Sequence, residues 1–467
     1  VRTIRETFDA VVIGAGSAGA ATAAFLAEAG LSTALVDARP AHEAGARWVN
    51  AVPYWFYDDA GIDRPVPPED VAPGGGLRML SVRGDGGFAL RPAPAPTVDM
   101  SLLVDRLHAR ARAAGVRFVM PVRDVRMTFD GERPVALAAV HAPADAAPVA
   151  VRLEARLFVD ATGLQGFLRG QVPAMRRDCP MPGGRELCAA LQEDCETADP
   201  DAARAFLAAR GMAPGDVAAW VGVRGGFSTA MVHVHGDLRH TALLVGVSGD
   251  GRNGPAKDLI ARLKADHSFV GRGVRGGGGM IPVRRPFDRL AAPGVVLVGD
   301  AACQVFPGHA SGVGMGLLAA RMVAEAVAGR ADPGAPEATW AYAARFLRTH
   351  GPILAAFDVF RRTVWDMDDA DVQALTDLGF IGPGMSRVAL SQRLGAVAPS
   401  ELVRIGRGAL RRPDLAARMA AVGPRMAAVA GLYKAVPGTP DPEALGRWSR
   451  AVAVAGGWTP DVGGGAA

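Results

Sequence analysis

The residues best placed to do chemistry in this chain are glycines. Gly14, Gly16 and Gly19 stand at the spacing G-x-G-x-x-G directly after the apolar run Ala10 to Ile13. At that spacing the first glycine allows a sharp turn, the second brings backbone against a pyrophosphate, and the third lets a helix pack on the preceding strand. A helix expected over residues 17–29 would aim its unpaired N–H groups at phosphate oxygens. Asp37, about twenty residues on, closes a second strand expected over 31–36, where a carboxylate can accept the hydroxyls of a ribose. Dinucleotide binding is the chemistry that this strand, turn, helix, strand and acid support together.

A second glycine-rich stretch lies far downstream. Residues 295–298 read as a buried strand, Gly299 permits close approach, and Asp300 sits at the strand's carboxyl end, placed to bind sugar-alcohol hydroxyls. Pro307 and Gly308 make a loop, and Gly312, Gly314 and Gly316 open a helix running to about residue 328. The helix dipole favours negative charge at its first turn, as a reduced flavin carries at N1 and the C2 carbonyl. His309, between that loop and the helix, is the candidate proton donor or acceptor, because an imidazole titrates near neutral pH. The alternative is a helix-entry residue exposed to solvent. Cys303 reads as a small buried filler, with a nucleophile or adduct former as the alternative.

Between the two glycine sites, residues 42–59 concentrate aromatics in a chain that has only 6% of them. Trp48, Tyr54, Trp55, Phe56 and Tyr57 either wall an apolar cavity or pack a domain junction. Trp48, Tyr54 and Trp55 are candidate substrate contacts, with Phe227 and His233 from the middle of the chain. Arg47 is a plausible partner for a pyrophosphate. His233 and His235 alternate with valines and so share one strand face. No third ligand stands nearby, and no metal is expected.

The elements that must position these residues divide the chain in three. An α/β dinucleotide-binding domain is assembled from 1–50, 98–170 and 280–330, with Asp99 capping an amphipathic helix that ends at Gly115 and strands expected at 116–120, 135–140 and 150–160. A substrate domain takes 51–97 and 171–279, with 65–96 as a Pro- and Gly-rich excursion and 170–279 as a mixed sheet of short strands flanked by helices near 202–210 and 256–265. From residue 333 onward apolar residues recur at helical spacing, which predicts a bundle covering one side.

Composition narrows the class. With 467 residues, 49% hydrophobic and 21% charged, the chain has the balance of a soluble globular protein large enough for two or three domains. A net charge of +4 without a basic stripe argues against nucleic acid as a partner. Cys179, Cys188, Cys195 and Cys303 form neither a disulfide framework nor a zinc pattern, so a cytoplasmic location is expected. No apolar run approaches the roughly 20 residues of a membrane span.

With Gly14 to Gly19 at the start and Gly299-Asp300 downstream, residues 1–330 resemble the flavoprotein superfamily of aromatic hydroxylases, flavin-dependent halogenases and geranylgeranyl reductases. The reductase branch is the most similar, on Gly278-Gly279-Met280-Ile281-Pro282 and, more diffusely, residues 342–378. The resemblance implies a Rossmann-type FAD-binding domain, an inserted mixed-sheet substrate domain and a helical C-terminal region. It implies cofactor contacts at Gly14, Ala15, Gly16, Ala18, Gly19, Asp37, Ala38, Arg47, Val122, Thr162, Gly163, Gly299, Asp300, Pro307, Gly312 and Val313. There are departures: Thr162 stands where hydroxylases carry an aspartate, Met100 where relatives often have an arginine, and the Trp-containing signatures of reductases and halogenases are missing around Phe227. The expected activity is reduction or desaturation of an apolar or aromatic small molecule, of the kind found in secondary metabolism, by hydride transfer at flavin N5. A monooxygenase acting through a flavin hydroperoxide and a non-catalytic flavin-binding partner remain alternatives. The absence of a second G-x-G-x-x-G unit leaves either transiently docked NADPH or a reduced carrier protein as electron donor.

Overall fold

In a computed structural model, which describes residues 3–82, 86–393 and 399–462, two sheets share the molecule. The first is an eight-stranded sheet whose main path runs Ala291–Ala292, Val295–Leu297, Val149–Asp160, Thr3–Ile13, Thr33–Val36, Arg117–Val119. Ala10 to Ile13 are buried on both faces and pair in parallel with both neighbours, which is why that stretch is apolar throughout rather than alternating. A hairpin of Val122–Asp130 and Arg133–His141 joins antiparallel to Val149–Asp160. Helices Ser17–Glu28, Met100–Ala113 and Val313–Val327 cover this sheet. Asp99 caps the second of them, accepting the Ser101 N–H at 2.9 Å.

The second sheet has seven strands in the order Val270–Pro282, Leu187–Thr197, His240–Ser248, Thr229–Val234, Val217–Val221, Leu77–Leu80, Gly87–Leu90. Every pairing is antiparallel except Leu77–Leu80 with Val217–Val221. The stretch expected as an excursion at 65–96 therefore supplies two strands. The Gly-rich residues 276–279 lie inside a 13-residue strand that runs across position 280. Glycine weakens a strand by itself, and here the partner Leu187–Thr197 supplies the order.

One face of the second sheet packs Val232, Val234, Leu243 and Val245 against helices Pro200–Ala208 and Ala256–Asp266. The other face turns toward the C-terminal helices. Those helices share a single apolar core with the first sheet: Tyr342, Leu354 and Val429 belong to the same buried cluster as Val11 and Leu157.

Candidate functional site

At the first glycine turn the backbone leaves no room for side chains. Gly14 has φ +102°, and a Cβ there would lie 2.2 Å from the Ala161 carbonyl oxygen; a Cβ on Gly19 would lie 1.8 Å from that of Gly14. Asp37 braces the turn, its Oδ2 accepting the Ala15 N–H at 2.7 Å and its Oδ1 the Arg39 N–H at 2.8 Å, across Ala38. The Val122 N–H donates to the Asp37 carbonyl at 2.9 Å, so that residue ties the second strand to the sheet. Helix Ser17–Glu28 begins at Gly16 with no side-chain cap, which leaves its first N–H groups for a ligand. A Cβ on Gly16 would sit 3.5 Å from the Cα of Gly45, two residues before Arg47. The Arg47 Nε and Nη2 atoms are buried without a hydrogen-bond partner. A buried guanidinium with unpaired donors calls for an anion.

The second glycine turn folds against the first. A Cβ on Gly299 would lie 3.2 Å, and one on Gly316 3.0 Å, from the Cβ of Ala18 on the fingerprint helix. Asp300 follows directly. Its carboxylate has no hydrogen-bond partner among the described residues, and burial pushes its pKa up to about 6. A Cβ on Gly312 would lie 3.1 Å from Asp300 Oδ1, so glycine keeps that carboxylate accessible. Helix Val313–Val327 starts at Gly312 with neither a side-chain cap nor an acid in its first turn, leaving its positive end open at Val313. Pro307 is buried in the intervening loop. An unpaired arginine, an unpaired carboxylate and two uncapped helix starts are the donor and acceptor set that a pyrophosphate and a polyol need, so FAD fits these residues.

The middle motif turns out to brace the strand end. Asp160 is fully buried and accepts from the Thr162 N–H and Oγ1 and from the N–H groups of Leu168 and Arg169, all within 3.1 Å. Thr162 in turn accepts the Phe167 N–H, and Gly163 follows at φ +69°.

Beside the second turn lies a cavity of about 270 Å³. The open face of the seven-stranded sheet supplies Met79, Phe227, Thr229, Met231 and Leu244; Trp48 and Asn50 close one side; the flavin-side loop contributes Gly308, His309 and Ala310. Among the described residues no Asp, Glu, Lys or Arg lines it. Gly277 and Gly279 lie against Trp48: a Cβ on either would stand 3.4 or 3.7 Å from its ring, an ordinary van der Waals contact. His309 is part of the wall and not a solvent-facing entry residue. Its Nε2 lies 3.1 Å from the Ala389 carbonyl, its ring packs 4.8 Å from Phe306, and burial holds its pKa below the usual value.

Three of the expected substrate contacts lie elsewhere. The Tyr54 hydroxyl donates to Asp70 at 3.1 Å from an exposed position. Trp55 packs a junction: its Nε1 donates to the Ser391 carbonyl at 2.7 Å, and Arg393 lies 3.8 Å over its ring. Phe56 and Tyr57 are buried in the core. A helix over Tyr54–Ala60 turns successive side chains to different faces, so four consecutive aromatics cannot share one wall. His233 is buried on the cavity side of its strand but beyond the residues that line the space.

Conversely, the C-terminal helices are more than a cover. Phe357, Phe360, Val364, Val372, Leu375, Phe380, Met385 and Leu390 all line the cavity. The available signal was helix Gly351–Trp365, which is apolar on more than one face and so must be buried on more than one. Among the described residues no group of three or more His, Cys, Asp or Glu could hold a metal ion, and no helix is long and apolar enough to cross a membrane.

Residues 9–63 match the family model described as FAD dependent oxidoreductase. A digeranylgeranylglycerophospholipid reductase of Methanoculleus marisnigri is 25% identical over 339 residues, covering 69% of this chain and 77% of that protein. A reductase of the same name from Sulfolobus acidocaldarius is 26% identical over 188 residues, and there the match spans 38% of this chain and only 39% of the relative's length. Among solved structures, a geranylgeranyl bacteriochlorophyll reductase-like protein from Thermoplasma acidophilum superposes with a TM-score of 0.69 at 16% identity, over 88% of this chain and all of that one. The matched fingerprint, the second glycine-aspartate turn packed against it and the reductase relatives make the chain similar to FAD-dependent oxidoreductases, with geranylgeranyl reductases among the proteins it resembles.

Proposed function

We propose that the protein transfers a hydride between FAD and an uncharged apolar or aromatic small molecule held in the cavity, reducing or desaturating a carbon-carbon bond. The observation that carries this reading is that a cavity with no charged wall residue among the described residues shares Gly308, His309 and Ala310 with the loop joining the two flavin-side elements. When bound, FAD supplies hydride donation or acceptance at N5. The chain's own part is to hold the cofactor through Arg47, Asp300 and the two helix starts, to exclude water with an apolar wall, and to orient the substrate against Trp48 and Phe227. Among the described lining residues His309 is the only imidazole, its pKa lowered by burial, and the Cys188 thiol is pushed up to about 12 by burial. We assign His309 the accompanying proton, held at Nε2 and shared with the Ala389 carbonyl.

The test is anaerobic mixing of the photoreduced, FAD-loaded protein with a panel of apolar alkenes. Return of the flavin absorbance together with saturation of the double bond, followed by mass spectrometry, is the expected result. Protein that binds FAD yet responds to no member of the panel in either direction is instead a flavin-binding partner without catalysis. Rapid mixing with NADPH separates the electron donors: bleaching of the flavin supports transient docking of the nucleotide, and no bleaching supports a reduced carrier protein.

A further inference from the structure

We propose that the cavity wall carries a subsite for an uncharged carbonyl oxygen, formed by the side-chain amides of Gln192 and Asn50. This rests on the cavity reading above and narrows its substrate class to an apolar body that bears a ketone, ester or similar carbonyl.

The sheet register puts Gln192 inside the cavity and not at its rim. Paired residues run Gly277, Gln192, Leu244, Met231, Ala219, Met79, one from each of six adjacent strands, and all of them line the cavity. Residues in register across a sheet project from the same face, so Gln192 is the one polar side chain in an otherwise apolar row. Its neighbour Gly277 presents no side chain, and the Trp48 ring lies there instead, 3.4 Å from where a Cβ would stand. Trp48 and Asn50 flank Val49, and both line the cavity. The Val49 N–H donates to Gln192 Oε1 at 3.0 Å, which brings the Asn50 segment beside Gln192.

That bond also fixes which way the Gln192 amide points. Only the oxygen can accept an N–H, so Oε1 is held at Val49 and Nε2 is the end left over. Gln192 is only 9% exposed, yet Nε2 makes no hydrogen bond to any described residue. The Asn50 amide likewise makes none among the described residues. Other polar groups of the wall are already engaged: Thr229 Oγ1 donates to the Trp220 carbonyl at 2.8 Å and Ser228 Oγ to the Gly225 carbonyl at 2.7 Å.

An unmet donor in an apolar wall is costly, and an oxygen that accepts from Nε2 relieves it. The two amides together offer more N–H donors than free oxygens, because Gln192 Oε1 is taken. They therefore suit an oxygen that only accepts, and a carbonyl has a lone pair for each amide. An ammonium has no lone pair for Nε2. A carboxylate has several, but among the described lining residues no Lys or Arg offsets its charge.

The experiment measures Kd by equilibrium dialysis of the FAD-loaded protein against isopropylbenzene, acetophenone, 1-phenylethanol and 1-phenylethylamine, and records the infrared carbonyl stretch of bound acetophenone. Expected is a stretch below its position in hexane, as a hydrogen-bonded carbonyl shows. Gln192→Met removes the donor at similar size. It should raise the acetophenone Kd about tenfold, return the stretch toward its hexane position, and leave isopropylbenzene bound at least as tightly as before. Gln192→Glu keeps an acceptor for Val49 and replaces the outward donor by an acceptor, so 1-phenylethylamine should gain about tenfold while acetophenone loses. Asn50→Ala should weaken acetophenone about threefold or more. Flavin content and Tm check that each variant folds.

A stretch unmoved from hexane, an acetophenone affinity that survives Gln192→Met, or one unaffected by Asn50→Ala overturns the subsite. A larger loss for 1-phenylethanol than for acetophenone in Gln192→Met overturns the carbonyl assignment. Isopropylbenzene binding without these carbonyl effects leaves the apolar cavity standing and removes only the subsite. Acetophenone binding that depends on Gln192, in a protein that turns over no alkene, keeps the subsite and removes the hydride-transfer reading; no binding by any compound removes both.

Discussion

The cofactor end of the molecule is shaped by side chains that are missing, and the cavity end by side chains that are present. At Gly14, Gly19, Gly299 and Gly316 a single added carbon would fall between 1.8 and 3.2 Å from a neighbouring atom, so the backbone itself forms the binding surface. At the cavity, Trp48, Phe227, Phe357 and Phe360 come from four separate stretches of chain and meet only through packing. The first kind of site tolerates no enlargement. The second tolerates volume changes but not a change of polarity, because its described lining is without charge.

The sharpest way to break that comparison is at the turn. Gly19→Val places branched carbon where even a Cβ lies 1.8 Å from the Gly14 carbonyl oxygen, and the purified variant should carry essentially no flavin by its visible absorbance. A variant with full flavin content would show that the backbone surface is not needed. Next in size is Phe360→Asp, which puts one uncompensated carboxylate into the cavity wall. Flavin content should stay at the wild-type level while kcat/KM falls about a hundredfold, in line with a cost of a few kcal/mol for an unpaired buried polar group. Joint loss of flavin and turnover would mean that the two ends are not separable.

Asp300→Asn has a smaller effect of both kinds. The Asp300 carboxyl is raised from 3.8 to about 6 by burial, so the folded protein without cofactor binds that proton more tightly than the unfolded chain does. Stability from this group is present below about pH 4 and is lost as pH rises toward 6. Removing the charge should flatten the fall in Tm of the cofactor-free protein across that window, and weaken FAD binding by about tenfold through loss of an acceptor for a sugar hydroxyl. An unchanged Tm profile would place Asp300 in solvent. Smallest is Trp55→Phe, which removes the hydrogen bond to the Ser391 carbonyl and should lower stability by about 1 kcal/mol with kcat/KM within about twofold. A large loss of turnover there would return Trp55 to the substrate side.

How much of this could be read in advance follows the same division. The turns at Gly14 to Gly19 and at Gly299-Asp300 and the cap at Asp99 were legible because each is a property of residues close in sequence, whereas Asp37, expected to accept ribose hydroxyls, is seen accepting the Ala15 N–H of the turn. Trp48 was expected from the local concentration of aromatics and Phe227 from the mid-chain sheet, and the structure places both on the cavity. Tyr54, Trp55 and His233 were not separable from them, because the helical turn at Tyr54 and the end of the cavity short of His233 are facts of backbone geometry. The strands at Leu77–Leu80 and Gly87–Leu90 and the Gly-rich strand Val270–Pro282 were obscured because glycine and proline signal loops locally, whereas pairing with a distant strand overrides them.

The sequence by itself determined the two glycine-bearing turns and the helix starts that follow them, because glycine spacing acts through the local backbone. Only the tertiary structure decided which side chains enclose a substrate. That enclosure needs a sheet face, an early tryptophan and late helices to meet, and no local pattern encodes contacts between residues as far apart as Trp48, Met231 and Phe360.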